Sequence, residues 1–178
     1  DYTGDYTAFD VLVECVTTGG ESGHIALEVK YTESMAEAAT RPKARHDKLS
    51  RLVGLYRDAD AVALRASPIQ QLWREHMLSR VMVCNGRYDT GRFVVIYPAQ
   101  NELCERAVAR YRAHLASDDP AVSGFWALTL EACIDAYRMI GEPDLADALY
   151  SRYLDFGRVE QVVFGEAQTG GFPFANRA

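Results

Sequence analysis

Polar and apolar residues alternate in two stretches near the start of the chain. In "AFDVLVECV" (8–16), Phe9, Val11, Val13 and Cys15 fall on one side and Asp10, Leu12, Glu14 and Val16 on the other. In "HIALEVKYT" (24–32), Ile25, Leu27, Val29 and Tyr31 oppose His24, Ala26, Glu28, Lys30 and Thr32. A period of two belongs to a half-buried strand. The glycines of the intervening "TTGGESG" predict a hairpin. Antiparallel strands that share an apolar face must pair residues whose numbers have the same parity. A turn centred on Gly19 sets Asp10 opposite Glu28, and one centred on Gly20 sets it opposite Lys30. Both registers gather Asp10, Glu28 and Lys30 on the polar face, which reads as the wet one.

Beyond residue 33 the period lengthens to that of a charged helix reaching about residue 58, with a break at Pro42. Leu49, Leu52, Val53, Leu55 and Tyr56 form its apolar stripe. Ser67 and Pro68 read as N-cap and first helical position of "IQQLWREHMLSRVMVCN", which buries Leu72, Met77, Leu78, Val81 and Met82. "GRFVVIYP" (91–98) is a short apolar strand, Asn101 caps "ELCERAVARYRAHLA", and "GFWALTL" is a fourth strand. "EACIDAYRMIG" and "PDLADALYSRYLDFG" are two closing helices. The pattern predicts one α/β domain over residues 1–160 and a tail over 161–178.

Composition narrows the function. The net charge of −6 argues against indiscriminate nucleic-acid binding, whose affinity comes mostly from phosphate neutralisation. The distribution is uneven, however: residues 41–51 hold five of the 19 Lys and Arg against one of the 25 acids. Cys15, Cys84, Cys104 and Cys133 form no CxxC or Cys/His spacing, so neither a zinc site nor a disulfide framework is predicted, and a reducing, cytoplasmic setting follows. No stretch has the length of a membrane span, and residues 1–20 lack the order of a secretory signal.

Two carboxylates and an ammonium on one sheet face, beside a basic segment, are the parts that metal-assisted phosphodiester hydrolysis needs. Mg²⁺ takes oxygen ligands and is held by one or two carboxylates. Asp10, Glu28 and the Val29 carbonyl supply such oxygens, and Lys30 would position or activate the attacking water. With 16 Arg and three Lys in the chain, a mid-strand lysine points to a specific demand for the smaller cation. Arg41, Lys43, Arg45, Lys48 and Arg51 are candidate phosphate contacts. The competing reading is that a Glu/Lys pair two residues apart on a strand, and a basic run after it, are ordinary solvated surface.

A mid-strand Asp, a hairpin and then Glu28-Val29-Lys30 resembles the signature of the PD-(D/E)xK nuclease superfamily. The wording "EVKYTE", the helical "QQLWREHML" and the strand "VVIYP" are further similar to a bacterial group of restriction-endonuclease-like proteins. The resemblance covers roughly residues 5–157. It implies an α/β restriction-endonuclease-like core, αβββαβ, with a central mixed β-sheet flanked by helices. It also implies Mg²⁺- or Mn²⁺-dependent cleavage of DNA in restriction or defence, by a homodimer or with a partner protein. The core's first helix and strand are expected ahead of Asp10; either they lie upstream of Asp1 or the site is incomplete, with Glu14 as a stand-in. Gln71, beside Gln70, matches a helical position that carries Gln or Lys in some members.

Other readings rank below this one. His24, His46, His76 and His114 form no spaced cluster, and Tyr31 and Trp73 read as core. Paired-carboxylate glycoside hydrolysis gives Lys30 no role. The Ala/Tyr/Leu helix pairing within residues 125–157 resembles a helical-repeat scaffold, but it has no second copy. The principal alternative is a catalytically inactive nuclease fold serving as an interaction or structural subunit.

Overall fold

The computed structural model describes residues 2–36, 41 and 43–157. The predicted tail, 161–178, lies outside the described residues. The predicted hairpin forms from β1 (Val11–Val16) and β2 (Ser22–Val29), in the Gly19-centred register that pairs Val11 with Leu27. β2 then runs parallel to β3 (Thr90–Tyr97), and β3 parallel to β4 (Phe125–Thr129). The result is a mixed sheet in the order β1-β2-β3-β4.

Helix α1 (Ala44–Leu52) is shorter than the pattern predicts. Gly54, at a φ of 65°, turns the chain directly after it. Val53, Leu55 and Tyr56 therefore enter the core from the turn, whereas Leu52 stays 62% exposed, contrary to the predicted stripe. A 3₁₀ turn (Val62–Arg65) leads into α2 (Gln70–Cys84). α2 starts two residues beyond Pro68, because the Ser67 hydroxyl donates to the Met35 carbonyl instead of capping a helix. α3 (Glu102–Arg112) begins as expected, with Asn101 Oδ1 accepting the Cys104 N–H at 3.0 Å. The four-residue α4 (Pro120–Ser123) precedes β4.

The chain divides by its contacts into two compact units, residues 1–130 and 131–178. The described part of the second carries α6 (Pro143–Tyr153) and all of α5 (Leu130–Met139) but its first residue; Arg138 ties the two helices together by pairing with Asp135 and Asp147.

In the first unit the layer over the sheet decides the site. Trp73 and Met77 of α2 pack into one core with Ala26, Phe93, Val95 and Phe125. The face of β2 beneath α2 is therefore the polar one: His24, Ala26, Glu28 and the following Lys30 are buried, while Val29 is 41% exposed. Polar groups on such a face need partners, and α2 provides them. His24 Nε2 meets Ser79 Oγ at 2.8 Å, and Glu28 meets Gln71. All six residues of β1, by contrast, are exposed.

Candidate active site

Three segments meet at the C-terminal end of β2. Asp10 sits one residue before β1, so the hairpin register carries it alongside Glu28. Its Oδ2 accepts the Val29 backbone N–H at 2.8 Å, which fixes the carboxylate while the residue stays exposed. Lys30 keeps to the Glu28 side because its N–H continues the parallel ladder, donating to the Ile96 carbonyl at 2.8 Å. Its Nζ lies 2.7 Å from Glu28 Oε1. α2 closes the cluster: the Gln71 amide donates to Glu28 Oε1 at 2.7 Å and to Glu75 Oε1 at 2.8 Å. Gln71 and Glu75 stand one helical turn apart, the spacing that puts two side chains on one face.

The cluster is short of positive charge. Burial pushes the Glu28 carboxyl above its usual range; the Lys30 hydrogen bond and charge act the other way, and Asp10 adds repulsion. Burial and then the Glu28 charge raise Glu75 to about 8, against the pull of the Gln71 hydrogen bond. Glu75 Oε2 is buried without a hydrogen-bond partner among the described residues. Burial disfavours the Lys30 ammonium, but the Glu28 hydrogen bond and charge, with Glu75 and Glu33 behind, outweigh it and raise its pKa. Lys30 is thus an ammonium here, a donor and a charge, not a base.

The Asp10 and Glu28 carboxyl groups offer oxygen donors of the kind a hard divalent cation prefers. Among the described residues no group of three or more His, Cys, Asp and Glu is arranged to hold a metal by itself. Asp10 and Glu28 match the one or two carboxylates through which Mg²⁺ is bound alongside substrate phosphate.

The family model of the PD-(D/E)XK nuclease superfamily matches residues 1–155. The chain belongs to that superfamily. Its mixed sheet with flanking helices is the α/β restriction-endonuclease-like arrangement of the family. No curated protein and no solved structure matches the chain at a significant level.

Within the family frame, Glu75 is the residue that sequence reasoning misses; its only signal is the helical spacing from Gln71. With Gln71, Glu33, Thr7 and Arg74 it lines a cavity of about 310 Å³ next to the cluster. Glu75 holds its proton to about pH 8 in the folded chain and only to its ordinary 4.5 when unfolded. Folding is therefore favoured by that proton below pH 4.5, and the contribution is lost as pH rises through 8. In metal-free urea unfolding, the chain is expected to lose on the order of a few kcal/mol between about pH 4.5 and pH 8. Glu75→Gln, neutral throughout and still an acceptor for Gln71, is expected to flatten that slope. An unchanged slope in the variant would show that Glu75 is not the group responsible.

The structure does not bring Glu14 to the cluster. It pairs across from His24, four residues from Glu28 along β2, and its carboxylate accepts from the Tyr88 hydroxyl and Arg87. Gln70 instead donates to the Arg65 carbonyl. The basic run is divided. Lys43 Nζ donates to the Gly4 carbonyl and Arg45 to the Tyr2 carbonyl, so both hold the N-terminal segment against α1. That segment is further fixed by Asp5, which pairs with Arg74 at 2.6 Å. Arg51 forms a fork with Asp60. Arg41 and Lys48 are exposed.

Proposed function

We propose that the protein is a Mg²⁺- or Mn²⁺-dependent DNA endonuclease. The observation that carries this reading is the convergence of Asp10, Glu28 and the Lys30 ammonium at one strand end, in a chain of a nuclease superfamily. Asp10, Glu28 and the Val29 carbonyl are the proposed metal ligands. A bound divalent ion supplies Lewis-acid polarisation of the phosphate and a more acidic water. Lys30 orients the attacking water and offsets charge on the phosphate. Gln71 and Glu75 hold the Glu28 carboxylate in place, as partners behind a metal ligand do. The resemblance supports a role in restriction or defence, as a homodimer or with a partner protein. Free cysteines support a cytoplasmic location. No described helix is long and apolar enough to cross a membrane.

Calorimetric titration with Mn²⁺ tests the ligand assignment independently of cleavage. Asp10→Asn and Glu28→Gln are each expected to weaken binding at least tenfold, the order seen when a metal site loses a supporting group. Equal affinity in all three proteins would favour the inactive structural subunit instead. Lys48, in α1, is exposed, and no hydrogen bond or ion pair ties it to another described residue, so it is free to meet phosphate. Lys48→Ala is expected to weaken binding to DNA of any sequence and reduce the salt slope by about one. Band-shift assays at several salt concentrations, run in EDTA, measure both.

A further inference from the structure

At the end of the sheet away from the carboxylates, β3 outruns β4. Pairing with β4 starts at Phe93, so Thr90, Gly91 and Arg92 extend beyond it. The Phe93 N–H donates to the Gly124 carbonyl, so the odd residues of β3 turn their backbone groups toward β4. The N–H and C=O of Gly91 consequently point past the start of that strand. Here the C-terminal half of α2 leaves a cavity of about 150 Å³, lined by Ser79, Arg80, Thr90, Gly91, Arg92 and Gly124 among others. Its Gly91 floor lies five β3 residues, about 17 Å, from the level of Val29.

The lining is cationic in a chain of net charge −6. Arg92 donates to Thr90 Oγ1 and to the Gly91 carbonyl, each at 3.1 Å, and has no carboxylate partner among the described residues. Arg80 likewise has no ion pair there. Among the described residues, no acid lines the cavity. Asp89, beside Thr90, accepts from Ser22, and Asp119 uses its carboxylate to cap the Ala121 N–H at the cavity's edge. The floor must remain bare backbone, because a Cβ on Gly91 would overlap His24 Cε1 and lie 2.9 Å from its Nε2. Gly124, at a φ of 75°, would bring a Cβ to 3.1 Å from the Gly91 carbonyl.

We propose that this cavity binds the terminal phosphate of a phosphomonoester. Two guanidinium groups without carboxylate partners match a phosphate dianion, which they grip through paired N–H donors. A phosphomonoester is mostly dianionic at neutral pH, with a second pKa of about 6. The volume equals that of about five waters at roughly 30 Å³ each, below the roughly 300 Å³ at which pockets begin to enclose a drug-sized ligand. The cavity therefore takes the phosphate alone, and the rest of the molecule lies outside. A free nucleotide and the 5′ end of a DNA strand both carry this group.

Titration calorimetry in EDTA, with inorganic phosphate, AMP and a short single-stranded oligonucleotide with or without a 5′-phosphate, tests the site without using cleavage as a readout. Failure of the nuclease reading would leave the result standing. Saturable phosphate binding is expected, weakened about tenfold or more in Arg80→Ala and in Arg92→Ala, the scale of one lost charge-assisted bond. Arg80→Lys, which keeps the charge and loses the fork, should fall between. Preference for the 5′-phosphorylated oligonucleotide assigns the carrier to a DNA end; equal binding of both oligonucleotides with uptake of AMP assigns it to a nucleotide. Absence of phosphate binding, or undiminished binding in a folded Arg80→Ala/Arg92→Ala variant, overturns the proposal.

Discussion

Glu28→Gln and Lys30→Ala are each expected to reduce metal-dependent DNA cleavage by about a hundred- to a thousandfold, for different reasons. The amide introduced by Glu28→Gln keeps the shape of the side chain and the contact with Gln71, but it removes the charge with which the proposed site holds a cation. Loss of Lys30 leaves both carboxylates in place and removes the ammonium 2.7 Å from Glu28 Oε1. Removing one group that stabilises transition-state charge typically costs about 10²–10³ in rate. The Lys30 variant should therefore retain Mn²⁺ binding while losing turnover, whereas the Glu28 variant should lose both. Single-turnover kinetics at saturating metal separate the two; full recovery of Glu28→Gln at high Mn²⁺ concentration would remove Glu28 from the chemistry and leave it a binding role only.

The same pair has a large effect on stability. Glu28 and Lys30 side chains are 5% and 9% exposed, so deleting one partner strands the other's charge beneath α2. Breaking a buried pair in this way costs about 3–5 kcal/mol, whereas replacing both partners by apolar groups is often nearly neutral. Glu28→Ala is expected to lower stability by that amount in metal-free urea unfolding. Glu28→Ala/Lys30→Met is expected to lose much less, because no uncompensated ammonium remains. A double variant as unstable as the single one would mean that the loss comes from the Gln71–Glu75 contacts and not from the stranded charge. Comparing Glu28→Ala with Gln71→Ala then measures that contribution directly.

Much of this site is legible in the sequence. Strict alternation in residues 8–16 and 24–32 places Asp10, Glu28 and Lys30 together; parity and a turn on Gly19 or Gly20 give two registers, of which the Gly19-centred one forms. What alternation cannot reveal is which layer covers each face. The face carrying Glu28 and Lys30 looks solvated because it is charged, yet it is the buried one, since α2 answers it with Gln71, Glu75 and Ser79. That reversal turns an ordinary surface pair into a desolvated cluster with shifted pKa values. Glu75 escapes notice because a lone acid four residues after a glutamine is common on exposed helices. The basic run misleads for a related reason: charge counts do not show that Lys43 and Arg45 answer carbonyls of a segment some forty residues upstream. The start of α2 differs from the expected one because the Ser67 hydroxyl finds a tertiary partner in Met35.

The most direct test of the active-site assignment is conversion of supercoiled plasmid to nicked and linear forms by the purified protein. It should be run in Mg²⁺, Mn²⁺ and EDTA, beside Asp10→Asn, Glu28→Gln and Lys30→Ala. The expected result is cleavage that requires the metal and disappears in all three variants while each remains folded. Cleavage that persists in the variants, or an intact protein that binds Mn²⁺ and DNA yet never cuts, would contradict it.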